Sequence, residues 1–277
     1  MRIPSISSKT AVLVAVVVLS GENATAQNVH ISHCAAGCPA GAPEYNVILV
    51  RSLYALSANY HTRFADWVSY RVLADTIGVA SLLPRIWEAD NLLGEGPGLE
   101  ATIDAAAPGI TQPVLDAAQD REYRLSEYRM NEVDLGRLVP MSSFAATPYW
   151  EETNLLSIMS PLRRPMRQGP WSRLDQAINR LAASTGEVHV ITGPLYNTRQ
   201  ASGTGLADTP QAFFKLVAST DGHISSFVFD QELPEHALFC EQRASFAEVQ
   251  IASGLDFFPD AQQWPSGSLD TQLGCND

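Results

Sequence analysis

The chain has 277 residues, of which 45% are hydrophobic and 17% are charged. These values are typical of a folded globular protein and exclude general disorder. The formal net charge of −12 at pH 7 argues against a general polyanion-binding protein, because an acidic surface repels a polyanion at long range. Any contact with a polyanion would have to be local. Arginine would supply it, since Lys215 is the only lysine after Lys9.

The N-terminal residues have the pattern of a secretory signal peptide. Arg2 and Lys9 give a positive start, residues 10–20 form an apolar run that is too short to span a membrane, and residues 24–26 (Ala-Thr-Ala) form a small-residue cleavage site. A buried N-terminal helix is the alternative, but it explains only the apolar run. We therefore predict a signal peptide over residues 1–26 and a secreted or periplasmic protein without membrane contact after its removal.

Four cysteines follow this segment in two groups, Cys34 with Cys38 and Cys240 with Cys275. An even number of cysteines in an exported chain suggests disulfides, and four cysteines allow three pairings. Pairing within each group is the most economical choice. A zinc site is the alternative, but the groups lie far apart in the sequence and lack a Cys-x-x-Cys spacing.

The first half of the chain predicts a hairpin followed by an irregular segment. Residues 46–56 and 64–73 alternate apolar and polar side chains as strands do, and residues 59–62 lie between them as a turn. Residues 90–120 are rich in Gly, Ala, Pro and Asp, which predicts a long irregular loop.

The second half of the chain mixes helices and strands. Apolar residues at helical spacing predict a helix over 171–183, and residues 187–191 predict a short strand that Gly193-Pro194 ends. A second hairpin is predicted for 213–218 and 224–229, turning at Asp221-Gly222, followed by a helix over 246–252 that Gly254 ends. Because no βαβ regularity is present, we assign residues 27–277 to one domain of the α+β class.

Seven short blocks occur once each along the chain. They are Cys34-Ala35-Ala36-Gly37-Cys38-Pro39, Phe64-Ala65-Asp66-Trp67-Val68-Ser69-Tyr70, Arg85-Ile86-Trp87, Gln168-Gly169-Pro170-Trp171, Thr192-Gly193-Pro194-Leu195-Tyr196, Pro210-Gln211-Ala212-Phe213-Phe214-Lys215 and Phe239-Cys240. In this order they resemble the DNA/RNA non-specific endonucleases of the ββα-metal type, especially the secreted bacterial members. The resemblance implies a central antiparallel sheet with a ββα-metal core and flanking helices.

The motif that supplies the general base in that family is altered here. The family has Asp-Arg-Gly-His at the end of a strand, and its histidine takes a proton from the attacking water. At the corresponding place Asp134 and Gly136 are kept, Leu135 replaces the arginine and Arg137 replaces the histidine. Arginine stays protonated at ordinary pH and cannot act as a general base.

The metal ligand of the family is also replaced. The family has an asparagine before Gln-Gly-x-Trp that holds one hydrated magnesium ion, and Arg167 occupies that position here. Asp175 lies where the family has a glutamate that orients the water molecules of the metal. Arg85 lies where the family has an arginine that contacts phosphate. The resemblance thus gives Arg85, Asp134, Arg137 and Asp175 as the positions of the catalytic site.

The histidines of the chain do not substitute for the missing base. His189 lies inside an apolar strand and is predicted to be a core or sheet residue. The others fall in turns, loops or near the N-terminus of the predicted mature chain, and none stands at a strand end before the predicted metal-site helix. These others are His30, His33, His61, His223 and His236.

These substitutions predict a catalytically degenerate nuclease fold in which Arg85, Arg137 and Arg167 bind phosphate or nucleic acid without metal. No cofactor is then expected, whereas a chain active as the family is would need Mg²⁺. An alternative is that the arginines form ordinary salt bridges with Asp134 and Asp175 in a decayed site. Two further alternatives are an active endonuclease with a rebuilt site and a secreted protein-interaction module. Arg163 and Arg164 either extend the basic patch or belong to a solvated loop, and the sequence leaves the oligomeric state open.

Overall fold

The computed structural model describes residues 30–59, 64–86, 88, 90–93, 133–196 and 210–275, without the side chains of residues 133–135. The predicted signal peptide, most of the turn at 59–62 and the predicted irregular loop beyond residue 93 lie outside this part of the chain. Within it, no helix is long and apolar enough to cross a membrane.

The described strands form two antiparallel sheets. The strands are β1 (Val47–Val50), β2 (Tyr54–Ala58), β3 (Ala65–Leu73), β4 (Val133–Arg137), β5 (Met159–Arg163), β6 (Glu187–Leu195), β7 (Ala212–Ala218), β8 (Ile224–Asp230) and β9 (Arg243–Ala244). Seven of them form one sheet in the order β1-β2-β3-β6-β7-β8-β9, and β4 pairs with β5 in the other. Strands and helices without βαβ units confirm the α+β class.

The first predicted hairpin is present, but the prediction of a single strand over 46–56 is wrong. The segment forms two strands, β1 and β2, because the chain turns at residues 51–53 and the Arg51 N–H donates to the Tyr54 carbonyl oxygen at 2.8 Å. β2 then pairs with β3, with Leu56 opposite Val68. The turn contains Ser52 but no Gly, Pro, Asn or Asp, so it carries only a weak turn signal in the sequence.

Strand β6 runs beyond the predicted end at residue 191 and includes Gly193-Pro194. Its pairing with β3 ends at Thr192, so Pro194 lies where one side of β6 has no strand partner and a residue without an N–H is tolerated. A Cβ on Gly193 would clash with the Asp66 carbonyl oxygen, which explains a glycine at this close approach.

Strands β7 and β8 confirm the second predicted hairpin, with Gly222 at φ +85° in the turn.

The helices are α1 (Arg164–Met166), α2 (Ser172–Thr185), α3 (Phe246–Ser253) and α4 (Asp270–Leu273). α2 confirms the predicted helix, although a kinked segment, Arg167–Trp171, precedes it, with non-helical backbone at Gly169. α3 is also confirmed. Its N-terminus has a capping box between Ser245 and Glu248, and Gly254 ends it in the left-handed conformation at φ 70°.

Both predicted disulfides are present, Cys34–Cys38 and Cys240–Cys275. The first closes a loop beside the sheet, and the second joins the segment after β8 to Cys275, two residues after α4.

The large sheet is covered on both faces by apolar side chains. One face packs against α2 and the β4–β5 pair, and the other packs against α3 and the N-terminal disulfide loop. The Trp171 ring lies edge-on to Phe213 and Phe229, with ring centroids 6.0 and 5.4 Å apart. Aromatic pairs of this kind add about 0.5–1.5 kcal/mol beyond the burial of their area. They hold the start of α2, and thus the β4–β5–α2 unit, against the sheet.

Candidate functional site

Strand β4 brings the first arginine of the candidate site to its C-terminal end. β4 pairs with β5, with Gly136 opposite Ser160 and Arg137 opposite Met159. The strand continues through Arg137, three residues beyond Asp134. Asp134 belongs to the same strand, but its side chain lies outside the described part of the structure.

Two neutral acceptors are among the partners of Arg137. Its Nε donates to the Thr153 carbonyl oxygen at 2.9 Å, and its Nη2 donates to the Asn154 side-chain oxygen at 2.6 Å. Burial, together with the smaller effects of the positive charges on Arg85 and Arg167, lowers the pKa of Arg137 to about 9. Because this pKa remains above neutrality, Arg137 stays a cation at physiological pH beside two other cations.

Arg167 lies directly against β4. It is the first residue of the kinked segment before α2, and its Cδ would lie 2.6 Å from a Cβ placed on Gly136. A side chain at position 136 would therefore displace Arg167. The structure thus brings positions 137 and 167 together, as the sequence analysis expects.

Asn154 connects Arg137 with the segment that carries Arg85. Its side-chain Nδ2 donates to the Pro84 carbonyl oxygen at 3.2 Å, and its backbone carbonyl oxygen accepts from the Glu88 N–H at 3.1 Å. Because the Asn154 side chain also accepts from Arg137, it joins Arg137 to the segment that carries Arg85. Asn154 is not predictable from the sequence, because no local pattern indicates a residue whose partners are 17 and 70 positions away.

Asp175 is turned toward a different partner. Its carboxylate, 8% exposed, forms an ion pair with Lys215, whose Nζ lies 3.7 Å from the centroid of the Trp171 ring. Burial raises the pKa of Asp175 and the Lys215 ammonium opposes that shift. The Asp175 carboxylate is thus paired with Lys215, a partner that is not predicted from the sequence.

The described side chains at this site do not fit a hydrated magnesium ion. Magnesium prefers oxygen ligands, usually carboxylates, whereas Arg137 and Arg167 carry only donors and Asp175 is paired with Lys215. Within the described ranges, no group of three or more His, Cys, Asp or Glu side chains could hold a metal ion.

The neighbouring basic residues Arg163 and Arg164 lie on regular elements and not in a solvated loop. Arg163 lies on β5 and forms an ion pair with Glu232 at 3.0 Å. Its N–H also donates to the Gln231 side-chain oxygen at 2.8 Å. Arg164 begins α1. Arg173, which the sequence analysis does not single out, donates to the carbonyl oxygens of Glu235 and Ala237.

His189 lies in the sheet and not at the candidate site, in agreement with its predicted core position. It stands on β6 between Arg71 on β3 and Ala218 on β7, and it is 7% exposed. Burial is the main cause that lowers the pKa of His189 to about 4, and the charges of Arg71 and His33 also lower it. The charge of Glu187 and a backbone hydrogen bond with His33 oppose this shift.

The burial of His189 predicts a loss of stability in acid. Between about pH 6.5 and pH 4 the unfolded chain binds a proton at this histidine and the folded chain does not, so the free energy of unfolding falls on acidification by up to about 3 kcal/mol. Urea unfolding at several pH values should show His189→Gln losing this part of the pH dependence. His236→Gln, at an exposed histidine, should retain it, and an unchanged slope in the His189 variant would contradict the prediction.

Comparison with known proteins identifies the fold and the family. The family model for DNA/RNA non-specific endonuclease matches residues 35–263. The Nuclease of Serratia marcescens is 32% identical over 253 residues, covering 88% of this chain and 86% of that protein. Mitochondrial endonuclease G of Caenorhabditis elegans is 23% identical over 236 residues, covering 79% and 70%. A chain in the crystal structure of the EndoG/EndoGI complex superposes with a TM-score of 0.52 at 18% identity, covering 78% of this chain and 86% of that chain.

Proposed function

The chain belongs to the DNA/RNA non-specific endonuclease family, and we propose that its catalytic centre has become a metal-independent binding site for phosphate groups, those of nucleic acid above all. The observation that carries this proposal is the convergence of Arg85, Arg137 and Arg167, seen in the lowered pKa of Arg137 and in the contact of Arg167 with Gly136. Two of the three arginines replace the residues that the family uses for proton abstraction and metal binding.

An anion bound at this site would relieve an electrostatic cost that the folded protein carries. Arg137 is largely buried, and both Arg85 and Arg167 disfavour its charged form. A phosphate placed among the three guanidiniums accepts charge-assisted hydrogen bonds and offsets their mutual repulsion. Such a site recognises one phosphate group at short range, which is compatible with a chain whose overall charge is negative.

The proposed site acts in an exported protein. The N-terminal residues have the charge, apolar run and cleavage site of a signal peptide. The two disulfides support the same assignment, because such bonds persist in oxidising compartments and are rare in the cytosol.

Binding of a 5′-phosphorylated, fluorescently labelled oligonucleotide in the presence of EDTA tests this function. We expect salt-sensitive binding by the wild-type protein, since phosphate contacts release counterions. Arg137→Gln and Arg167→Gln should each weaken binding about tenfold or more, because a hydrogen bond to a charged group contributes about 1.5–3 kcal/mol.

Arg180→Gln is the matched control, because Arg180 is an exposed arginine on α2. It removes the same charge from the protein and should leave binding within about twofold of wild type, as expected for a distant surface charge. Equal weakening by all three substitutions would mean that only net charge matters, and no binding in EDTA would overturn the proposed site. Thermal unfolding of each variant shows whether the fold is kept.

A further inference from the structure

Four exposed apolar side chains lie on the two segments that border the candidate site. Val79, Leu82 and Ile86 are 69%, 63% and 57% exposed, and Tyr149 is 55% exposed. We call these four residues the apolar rim. Exposed apolar surface that is concentrated in one place marks an interaction site, whereas single exposed apolar residues do not.

The two segments, residues 78–86 and 142–156, run side by side. Near one end the Gly78 N–H donates to the Ser142 carbonyl oxygen at 3.0 Å. At the other end the Leu156 N–H donates at 2.9 Å to the carbonyl oxygen of Glu88, which follows the first segment. The apolar rim lies between these two connections and is therefore one surface with contributions from both segments.

The same two segments connect the apolar rim with the arginines of the candidate site. Arg85 belongs to the first segment, and Asn154 of the second accepts from Arg137 at 2.6 Å. Tyr149 directly precedes the 3₁₀ helix Trp150–Asn154, so it stands about 10 Å from Asn154 along the helix axis. A ligand whose phosphate lies among the arginines therefore has apolar surface within reach.

Tyr149 offers this ligand a flat, unoccupied ring. Within the ranges that the structure describes, the ring packs against no other aromatic ring. Nucleobases stack on exposed aromatic side chains whatever their sequence, because every base has a π-face. The aliphatic residues Val79, Leu82 and Ile86 add apolar contact beside that ring, so the chemistry of the apolar rim fits a base.

The charges beside the apolar rim favour one phosphate followed by a base and disfavour a row of phosphates. Glu88 and Glu151 are both exposed and lie next to the rim in the sequence of the two segments. Their carboxylates repel any phosphate beyond the one that the arginines hold. A duplex keeps its bases paired and its phosphates outside, whereas a single strand can turn an unpaired base toward an aromatic ring.

We propose that the apolar rim, with Tyr149 as its stacking ring, binds the base next to the phosphate that Arg85, Arg137 and Arg167 hold, so that the site selects single-stranded nucleic acid over duplex. This inference rests on the proposed phosphate site. It divides the work between two surfaces, since the arginines bind the phosphate and Tyr149 determines which kind of strand carries it.

Fluorescence anisotropy in EDTA with three 5′-phosphorylated probes, labelled at the 3′ end, tests the proposal. The probes are a single strand, its duplex and a single strand of the same length whose sites are abasic. The wild type should bind the intact single strand at least about fivefold more tightly than either other probe, as loss of one stacked base predicts. Tyr149→Ala should remove this preference and leave binding of the abasic strand within about twofold. Tyr149→Phe keeps the ring and should bind as the wild type does.

Tyr45→Ala is the matched control, since Tyr45 is an exposed tyrosine outside both segments, and this variant should keep the preference. Circular dichroism shows whether each variant is folded, and the wild-type comparison of intact and abasic strands decides even if Tyr149→Ala fails to fold.

The outcomes separate this inference from the phosphate site. Equal binding of the intact and abasic strands, or a preference that Tyr149→Ala retains, overturns the role of the apolar rim and leaves the phosphate site standing. No binding of any probe overturns both. Unchanged oligonucleotide binding by Tyr149→Ala, with lost binding to phosphatidylglycerol vesicles, would overturn the inference in favour of a lipid surface.

Discussion

Purified wild-type protein should cleave neither plasmid DNA nor RNA in the presence of magnesium. A general base contributes about 10²–10⁴ to the rate of such a reaction, and Arg137 cannot act as one because its pKa of about 9 keeps it protonated at neutral pH. Arg167 offers no oxygen for a metal ion, and the nearby carboxylate of Asp175 is paired with Lys215. Three arginines also repel a divalent cation. The measurement is plasmid nicking with magnesium and with EDTA.

Restoring family residues separates the loss of the general base from the loss of the metal ligand. Arg137→His alone should remain inactive, because no oxygen ligand has been added at position 167. The triple variant Leu135→Arg, Arg137→His and Arg167→Asn should recover partial magnesium-dependent nicking. Its recovery depends on how far Asp175 is released from Lys215. Robust nicking by the wild-type protein that EDTA abolishes would contradict the degenerate site and would favour a rebuilt one.

Breaking the Lys215–Asp175 ion pair should destabilise the protein by about 3–5 kcal/mol, because the remaining partner becomes an uncompensated buried charge. Lys215 is fully buried in β7 and also lies over the Trp171 ring at 3.7 Å. Burial lowers the pKa of Lys215 and raises the pKa of Asp175, and each partner opposes the shift of the other. Urea unfolding of Lys215→Met under non-reducing conditions, where the disulfides stay intact, measures the effect.

Two comparisons show whether the loss comes from the buried charge. The double variant Lys215→Met with Asp175→Leu removes both charges and should recover most of the stability, since apolar residues of similar volume often replace a buried ion pair without loss. Arg71→Gln breaks the partly exposed Arg71–Glu187 pair at 3.4 Å and should cost less than about 1 kcal/mol. A loss below about 1 kcal/mol for Lys215→Met would show that the pair does not stabilise the fold.

Features with local signals in the sequence were predictable. The apolar spacing of α2, the turn at Asp221-Gly222 and the glycine after α3 each depend on residues close together in the chain. The break between β1 and β2 was missed, because Arg51-Ser52-Leu53 contains no Gly, Pro, Asn or Asp. Only the antiparallel pairing of β1 with β2 shows that the segment forms two strands. The extent of β6 was missed because tolerance of Pro194 depends on which side of the strand lacks a neighbour.

The sequence by itself determined the α+β class and the family, because these follow from residue identity and order. The resemblance to the family predicts that Arg137 and Arg167 stand at its histidine and asparagine positions. Only the tertiary structure decided the partners of these residues. Asp175 forms an ion pair with Lys215, Arg137 donates to Asn154, and Arg167 lies against Gly136. Each of these contacts joins residues 17 to 40 positions apart. Burial, which sets the pKa of Arg137, arises only when those segments pack together.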